Sequence, residues 1–323
     1  MNSTEAVSSR HGDALRVLPR GPFSAAVIDA LSVPASDRVE GLAGAVYVQV
    51  KPALWVTEDI FRDEDVQLGL FLLYASHYGS LPIDPRWEWD PTLISARRRV
   101  EADFESQVRA RVVVPEPGEP DADAVARALF ALTAPSAEPS LSRFVARMAT
   151  VEQLREFLIH RTVYTLREAD PHSWAIPRLT GRAKAALVEI QSDEYGAGDP
   201  RRVHAALFAS TVRGVGLDDA YGAYLDRIPA ITLASHNLMS MFGLNRRLRG
   251  AIVGHLAAFE MTSAIPNRSY AEGFRRAGFG DEVTRYFDEH VEADAVHEQI
   301  AGRDLAGALA ADEPELLPDS GSA

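Results

Sequence analysis

The chain of 323 residues has no cysteine. That absence excludes disulfides, thiolate-bound metal, iron–sulfur ligation and a cysteine nucleophile. Long apolar runs are missing too: no stretch offers the roughly 20 consecutive apolar residues that a membrane-spanning helix needs. The first residues, Met1 to His11, lack the apolar centre of a signal peptide. Both absences lead us to expect a cytoplasmic protein without a membrane partner. Positive charge is scarce, with a formal net charge of -13, which argues against nucleic-acid binding. The basic runs Arg97 to Arg99 and Arg246 to Arg249 are short and read as solvated helix faces or turns. There is no Gly-rich phosphate loop, no internal repeat and no sustained alternating pattern of a strand.

What remains is helical period. Residues 1–22 are polar and patternless and are expected to be mobile. An N-terminal helical region follows over 23–114. It includes Ser24 to Leu31, Asp63 to Tyr78 and Thr92 to Val112, a loop rich in Pro and Trp at 79–91, and Val46 to Val50, which reads as either extended or helical. It is expected to pack on the core and to serve as a lid or dimer contact; the aromatics of Leu73 to Tyr78 and of Arg86 to Trp89 alternatively just anchor a loop. Pro115 to Pro120 is the clearest linker. Over 121–310 we expect a helical bundle, with helices at Asp123 to Leu132, Leu141 to Arg147, Thr150 to Ala169, Gly181 to Tyr195, Arg201 to Val215, Asp219 to Leu225, Pro229 to Phe242, Arg246 to Ser263, Tyr270 to Ala277 and 281–309. Residues 311–323 read as a disordered acidic tail. The fold class is all-α.

One stretch stands out. His290-x3-Asp294-x2-His297 lies in a segment, Val283 to Leu309, that has no Pro and only Gly302 and Gly307. At roughly 100° per residue, these three positions fall within about 60° of one another on a helix. Two imidazoles and a carboxylate then share a face, as one wall of a non-haem metal site would require. A surface helix can carry the same spacing.

A metal-holding bundle projects acids and histidines inward from several helices. Glu260 sits in an apolar, small-residue helix, where a carboxylate is costly to bury unless paired or metal-bound. Glu194 closes a helix just before the Gly-rich break at 196–200. His204 is flanked by small and apolar residues. Glu168 follows Tyr164 by one turn, and His160 precedes Tyr164 by one turn. Taken singly, each has an ordinary alternative: a core histidine bonded to a carbonyl, or an exposed Glu in an Ala-rich helix. The ordered set on separate helical segments is what points to metal.

These residues resemble the haem-oxygenase-like diiron oxidases and oxygenases, often described as iron-containing redox enzymes. The resemblance covers about half the chain, from Thr150 to Leu309. It is carried by Glu168-Ala-Asp-Pro-His-Ser-Trp174, Asp193-Glu-Tyr-Gly196 and His290-x3-Asp294-x2-His297. It implies a haem-oxygenase-like helical bundle with an additional N-terminal helical region. The implied ligands are Glu168, Glu194, His204, Glu260, His290, Asp294 and His297. It assigns Glu168, His204 and His297 to one iron, and Glu194, His290 and Asp294 to the other, with Glu260 as an additional or movable carboxylate. His11, His77, His160, His172, His236 and His255 match no ligand position; the last four remain candidates for supporting or core roles. The acid-rich set does not suit haem, and the thiamin-hydrolysing relatives need a cysteine that is absent here.

The resemblance implies an oxidoreductase with two ferrous ions and dioxygen as co-substrate. It further implies an external electron donor, a small-molecule substrate such as an amino acid or carboxylic acid of specialised metabolism, and a homodimer. Desaturation, hydroxylation, N-oxygenation and C–C cleavage all stay open, as do one iron or manganese. Tyr164, Phe208, Phe259 and Ser263 are the candidate pocket residues, and Arg167, Arg178 or Lys184 could meet a substrate carboxylate. No residue beyond the metal ligands is nominated as catalytic. The competing expectation is a non-catalytic helical protein that binds metal or acts through interactions.

Overall fold

Acidic and hydroxyl side chains standing just before apolar runs start several helices. Asp63 accepts a hydrogen bond from the Val66 amide at 2.9 Å, and Asp121 does the same for Ala124 at 2.9 Å. Thr150 and Gln153 bond each other's backbone N–H reciprocally at 3.3 and 2.9 Å, which satisfies two otherwise orphaned donors. A computed structural model describes residues 15–35, 40–113, 121–134 and 139–317, except for the side chains of residues 40, 294 and 295. Among the described residues the chain is helix and turn without strand, as the all-α expectation requires.

The helices are α1 (Pro22–Leu31), α2 (Glu40–Val56), α3 (Glu64–Ala75), α4 (Pro91–Arg111), α5 (Ala122–Leu132), α6 (Leu141–Arg147), α7 (Val151–Thr165), α8 (Asp170–Ser173), α9 (Gly181–Glu194), α10 (His204–Gly214), α11 (Ala230–Leu244), α12 (Arg249–Arg276), α13 (Asp281–Gln299) and α14 (Ala308–Asp312). A π-helical stretch, Ile300–Gly307, joins the last two. No described helix is long and apolar enough to cross a membrane.

The chain forms two compact units. One comprises the chain up to Arg111 together with Tyr224–Asn237; the other comprises Val112–Ala223 and Leu238 onward. The first unit is tied by buried and half-buried polar joints. Asp65 receives the amides of Phe23 and Ser24 at 3.0 and 2.6 Å, Glu64 receives that of Ala230 at 2.9 Å, and Asn237 donates to Gln67 Oε1 at 2.8 Å. Trp87 anchors its loop by donating to the Val33 carbonyl at 2.9 Å.

Several expectations change. Packing begins at Leu15, which is buried, so the patternless N-terminal stretch is not free up to residue 22; residues 1–14 lie outside the described residues. Val46 to Val50 is interior to α2. Arg97 is not solvated: it is buried and pairs with Glu101 at 3.3 Å, which also accepts from the Tyr74 hydroxyl at 2.7 Å. Asp219 to Leu225 is turn rather than helix, since Gly216 and Gly222 adopt φ of 80° and 84°. The two helices expected around Pro266 are one, α12; the proline ring removes one backbone N–H and leaves the Thr262 carbonyl without its usual helical donor. The acidic tail carries helix through Pro314–Leu316 and buries Leu316. The linker at 115–120 and residues 318–323 lie outside the described residues.

The core of the second unit that supports the site joins α6, α7, α10, α12 and α13. It contains Leu154, Leu158, Phe208, Val212, Phe274, Val283, Tyr286 and Phe287. Phe208 belongs here and not to a pocket: its ring is 0% exposed and meets Tyr286 edge-on at 5.1 Å. One turn after His204, it faces α13 and packs behind the site. Replacing Phe208 with Ala should therefore cost about 3–5 kcal/mol in urea unfolding, with iron bound per folded chain unchanged; a cost below about 1 kcal/mol would contradict the packing role.

Candidate metal centre

The site begins at the joint between α9 and α10. Gly196, Ala197 and Gly198 have φ of 72°, 50° and 87°, a left-handed run that turns the chain sharply. A Cβ on Gly196 would stand 2.6 Å from the Val203 amide nitrogen, so the backbones close there only because that residue is glycine. The joint brings the last residue of α9, Glu194, against the first of α10, His204. His204 Nδ1 lies 3.1 Å from Glu194 Oε1, but the pair is not aligned as a hydrogen bond.

Glu168 comes from the turn after α7, beyond the helix expected to contain it. His290 comes from α13, with its Nε2 3.9 Å from Glu168 Oε1. Donor atoms of Glu168, Glu194, His204 and His290 lie within 4.8 Å of one another, and all four residues are buried. Tyr286, one turn before His290, braces two of them. Its hydroxyl donates to Glu168 Oε2 at 2.6 Å, and its carbonyl accepts from His290 Nδ1 at 2.9 Å. A carbonyl only accepts, so His290 carries its proton on Nδ1 and presents a bare Nε2.

A second group shares Glu194 with the first: atoms of Glu194, Glu260 and His297 also lie within 4.8 Å of one another. His297 is held from both sides, with Nδ1 3.1 Å from Glu260 Oε2 and Nε2 3.0 Å from Asp193 Oδ2. Asp294 lies on α13 between the two histidines, but its side chain is outside the described residues. The grouping differs from the division implied by resemblance. His290 stands with Glu168 and His204, since Tyr286 pins both Glu168 and His290, while His297 meets Glu260 on α12 and groups with it and Glu194.

Charge decides what this site can hold. None of Glu168, Glu194 and Glu260 is paired with Lys or Arg among the described residues. Burial, with Glu194 adding, pushes the Glu168 carboxyl up to about 8, and burial also raises Glu260. Burial would raise Glu194 as well, but His204 close beside it and the nearby His290 and His297 bring it below its ordinary value. Burial opposes charge on His204 and His297, yet Glu194 and Glu260 respectively hold them protonated up to about 9. Burial and the His204 charge bring His290 down to about 4. Glu168 Oε1 and His204 Nδ1 are buried without a hydrogen-bond partner. Buried carboxylates and imidazoles drawn into two groups, with Glu168 Oε1 an unpartnered acceptor among them, fit divalent cations of oxygen and nitrogen preference, the ligand types that suit iron.

Beside the first group lies a cavity of about 260 Å³. Tyr164, Phe259 and Ser263 line it as expected, with Tyr164 and Phe259 edge-on at 5.4 Å; Phe208 does not. Neither do Arg167, Arg178 or Lys184; the guanidinium in the wall is that of Arg161. His172 lines the cavity too, 3.2 Å from His255, and burial holds both rings neutral at pH 7. His160 pairs with Glu156 at 3.2 Å, away from the donors, and His236 belongs to the first unit, beside Phe71. The supports overlooked in the sequence are Tyr286, Asp193 and Arg161. Tyr286 was legible as the residue one turn before His290, and Arg161 as the residue one turn before Tyr164.

The protonated imidazoles give a pH dependence with a definite sign. His204 and His297 rise from 6.5 to about 9, so their contribution is full below pH 6.5 and is lost as pH climbs through 9. Glu168, protonated to about 8, adds a loss in the same direction. The melting temperature of the metal-free protein should fall between pH 7 and 9, and ferrous iron added anaerobically at pH 7 in weak buffer should release protons. A flat or rising melting temperature together with proton-neutral uptake would contradict these charge states.

Comparison with known proteins agrees with the geometry. A nitrosourea synthase of Streptomyces achromogenes subsp. streptozoticus is 30% identical over 148 residues, 46% of this chain and 31% of that protein. The matched stretch thus spans under a third of that relative's length. Residues 155–321 match the family model of the iron-containing redox enzymes, a stretch that holds all three carboxylates, all three histidines and the cavity, and the chain belongs to that family.

Proposed function

We propose that the two donor groups each hold an iron ion, with Glu194 between them, in an enzyme that uses dioxygen to oxidise a small organic substrate. The observation that carries this reading is the position of Glu194, one carboxylate common to both groups. Glu168, His204 and His290 complete one site; Glu260, His297 and, by its spacing on α13, Asp294 complete the other. Two ferrous ions with open positions would supply the electrons that activate dioxygen, and an external donor would restore them.

The chain's own residues supply positioning. Tyr286 orients the Glu168 carboxylate and fixes the His290 tautomer, so both lone pairs are set before metal arrives. Asp193, with its side chain 55% exposed, gives His297 an exchangeable partner on its second nitrogen. The aromatic wall of Tyr164 and Phe259 keeps water from one side of the cavity. The cavity beside the donors favours an oxidase over a purely structural metal protein, and its size suits an amino acid or small carboxylic acid. The similarity to a nitrosourea synthase supports a setting in biosynthesis of a specialised product for this chain as well.

Metal counting on variants separates the shared ligand from the others. Wild-type protein loaded anaerobically should hold two irons per chain. Glu194→Ala should lose both, whereas Glu260→Ala should keep the iron of the Glu168 group. If Glu194→Ala retained two irons, the bridging position would be wrong. Oxygen consumption triggered by an amino or carboxylic acid, and absent in Glu194→Ala, would complete the reading; none with any acid in a broad screen would count against it.

A further inference from the structure

The cavity wall contains a guanidinium that eases the charge on Glu168 without closing on it as an ion pair. Arg161 projects from α7, seven residues before Glu168, and it forms no ion pair with any Asp or Glu among the described residues. Its Nε is buried with no hydrogen-bond partner. Aromatic faces surround its guanidinium, with Phe157 at 5.5 Å and Tyr270 at 5.7 Å from the ring centroids. Rings against the flat faces of a guanidinium stabilise the charge and leave the in-plane N–H donors for another group. One turn before Tyr270 on α12 stands Asn267, also in the cavity wall and buried, with Oδ1 unpartnered.

A planar fork of donors is complementary to a carboxylate, whereas the unpartnered Asn267 Oδ1 is an acceptor and would take an N–H of the ligand. The nearest acid, Glu168, is engaged by the Tyr286 hydroxyl instead. The rest of the wall limits the ligand's charge. Glu168, Glu194 and Glu260 line the same cavity, and Arg161 is the one Lys or Arg side chain in its wall. A monocarboxylate matches the single guanidinium.

We propose that Arg161 anchors the carboxylate of a small monocarboxylic substrate and so turns the remainder of the molecule toward Glu168, Glu194 and His290. This rests on the reading of the cavity as the substrate site of the oxidase. The sequence had offered Arg167, Arg178 and Lys184 for this task, none of which reaches the cavity. Arg161 is a specificity-determining residue here, acting on the end of the substrate away from the metals.

The test uses the full chain under anaerobic conditions, metal-free and iron-loaded. Its probes are free L-amino acids and straight-chain monocarboxylic acids, each beside its primary amide, with binding read by calorimetry and thermal shift. We expect at least one acid to bind about tenfold or more tightly than its amide, as a charge-assisted bidentate contact implies. Arg161→Gln should erase that preference while iron content stays at the wild-type level. Arg161→Lys, which keeps the charge but not the fork, guards against a folding defect and should reduce the preference without abolishing it. Equal binding of acid and amide by the wild type, or an undiminished preference in both variants, overturns the proposal. The two readings fail separately: absent iron with an intact, Arg161-dependent acid preference would remove the metal reading alone, and bound iron without that preference would remove the anchor alone.

Discussion

Three carboxylates buried with no Lys or Arg partner are the constraint on which the second unit turns. Glu168, Glu194 and Glu260 would be prohibitively costly together in an apolar bundle. The protein meets that cost with imidazoles: His204 against Glu194, and His297 between Glu260 and Asp193. It also protonates Glu168 and lets Tyr286 donate to it. These protons and imidazoles supply the compensation that cation charge would supply in the reading proposed above.

The helices deliver those groups by different means. Glu194 and His204 meet through a left-handed joint that only glycine permits at residue 196. Glu168 reaches the site from a turn just past α7. Glu260 lies on α12, which continues through Pro266 and forms a long wall of the cavity. α13 gives both histidines and Tyr286, with Phe208 and Phe287 packed behind it. The apolar packing and the ionisable cluster meet at Tyr286, which packs on Phe208 and also bonds Glu168 and His290.

That arrangement explains what was legible in the sequence. Residue type together with helical spacing reveals buried polar clusters well, because acids and histidines in apolar company need a reason; the three carboxylates and His204, His290 and His297 were all nominated, and they lie together. Spacing alone cannot rank the two sides of a helix. Phe208 follows His204 by one turn and looked like pocket, yet the α10 face it occupies packs on α13. The grouping of the donor atoms was equally out of reach, since it follows Tyr286 and Glu260, brought together with the histidines from separate helices. Asp219 to Leu225 failed as a helix because Gly216 and Gly222 take positive φ, a choice that composition does not reveal. Arg161 escaped notice since an Arg in an amphipathic helix is ordinarily solvated, and only the rings of Phe157 and Tyr270 distinguish it.

Membership of the iron-containing redox enzymes sets the class of chemistry, and the arrangement of this chain's own side chains narrows it: two donor groups joined at one carboxylate, a cavity at their side and a guanidinium in its wall. The most direct test is diffraction from anaerobically iron-loaded crystals at wavelengths either side of the iron edge. The account predicts two anomalous peaks per chain, one on each side of Glu194, the first among Glu168, His204 and His290 and the second between Glu260 and His297. A single peak, or none in this bundle, would contradict it.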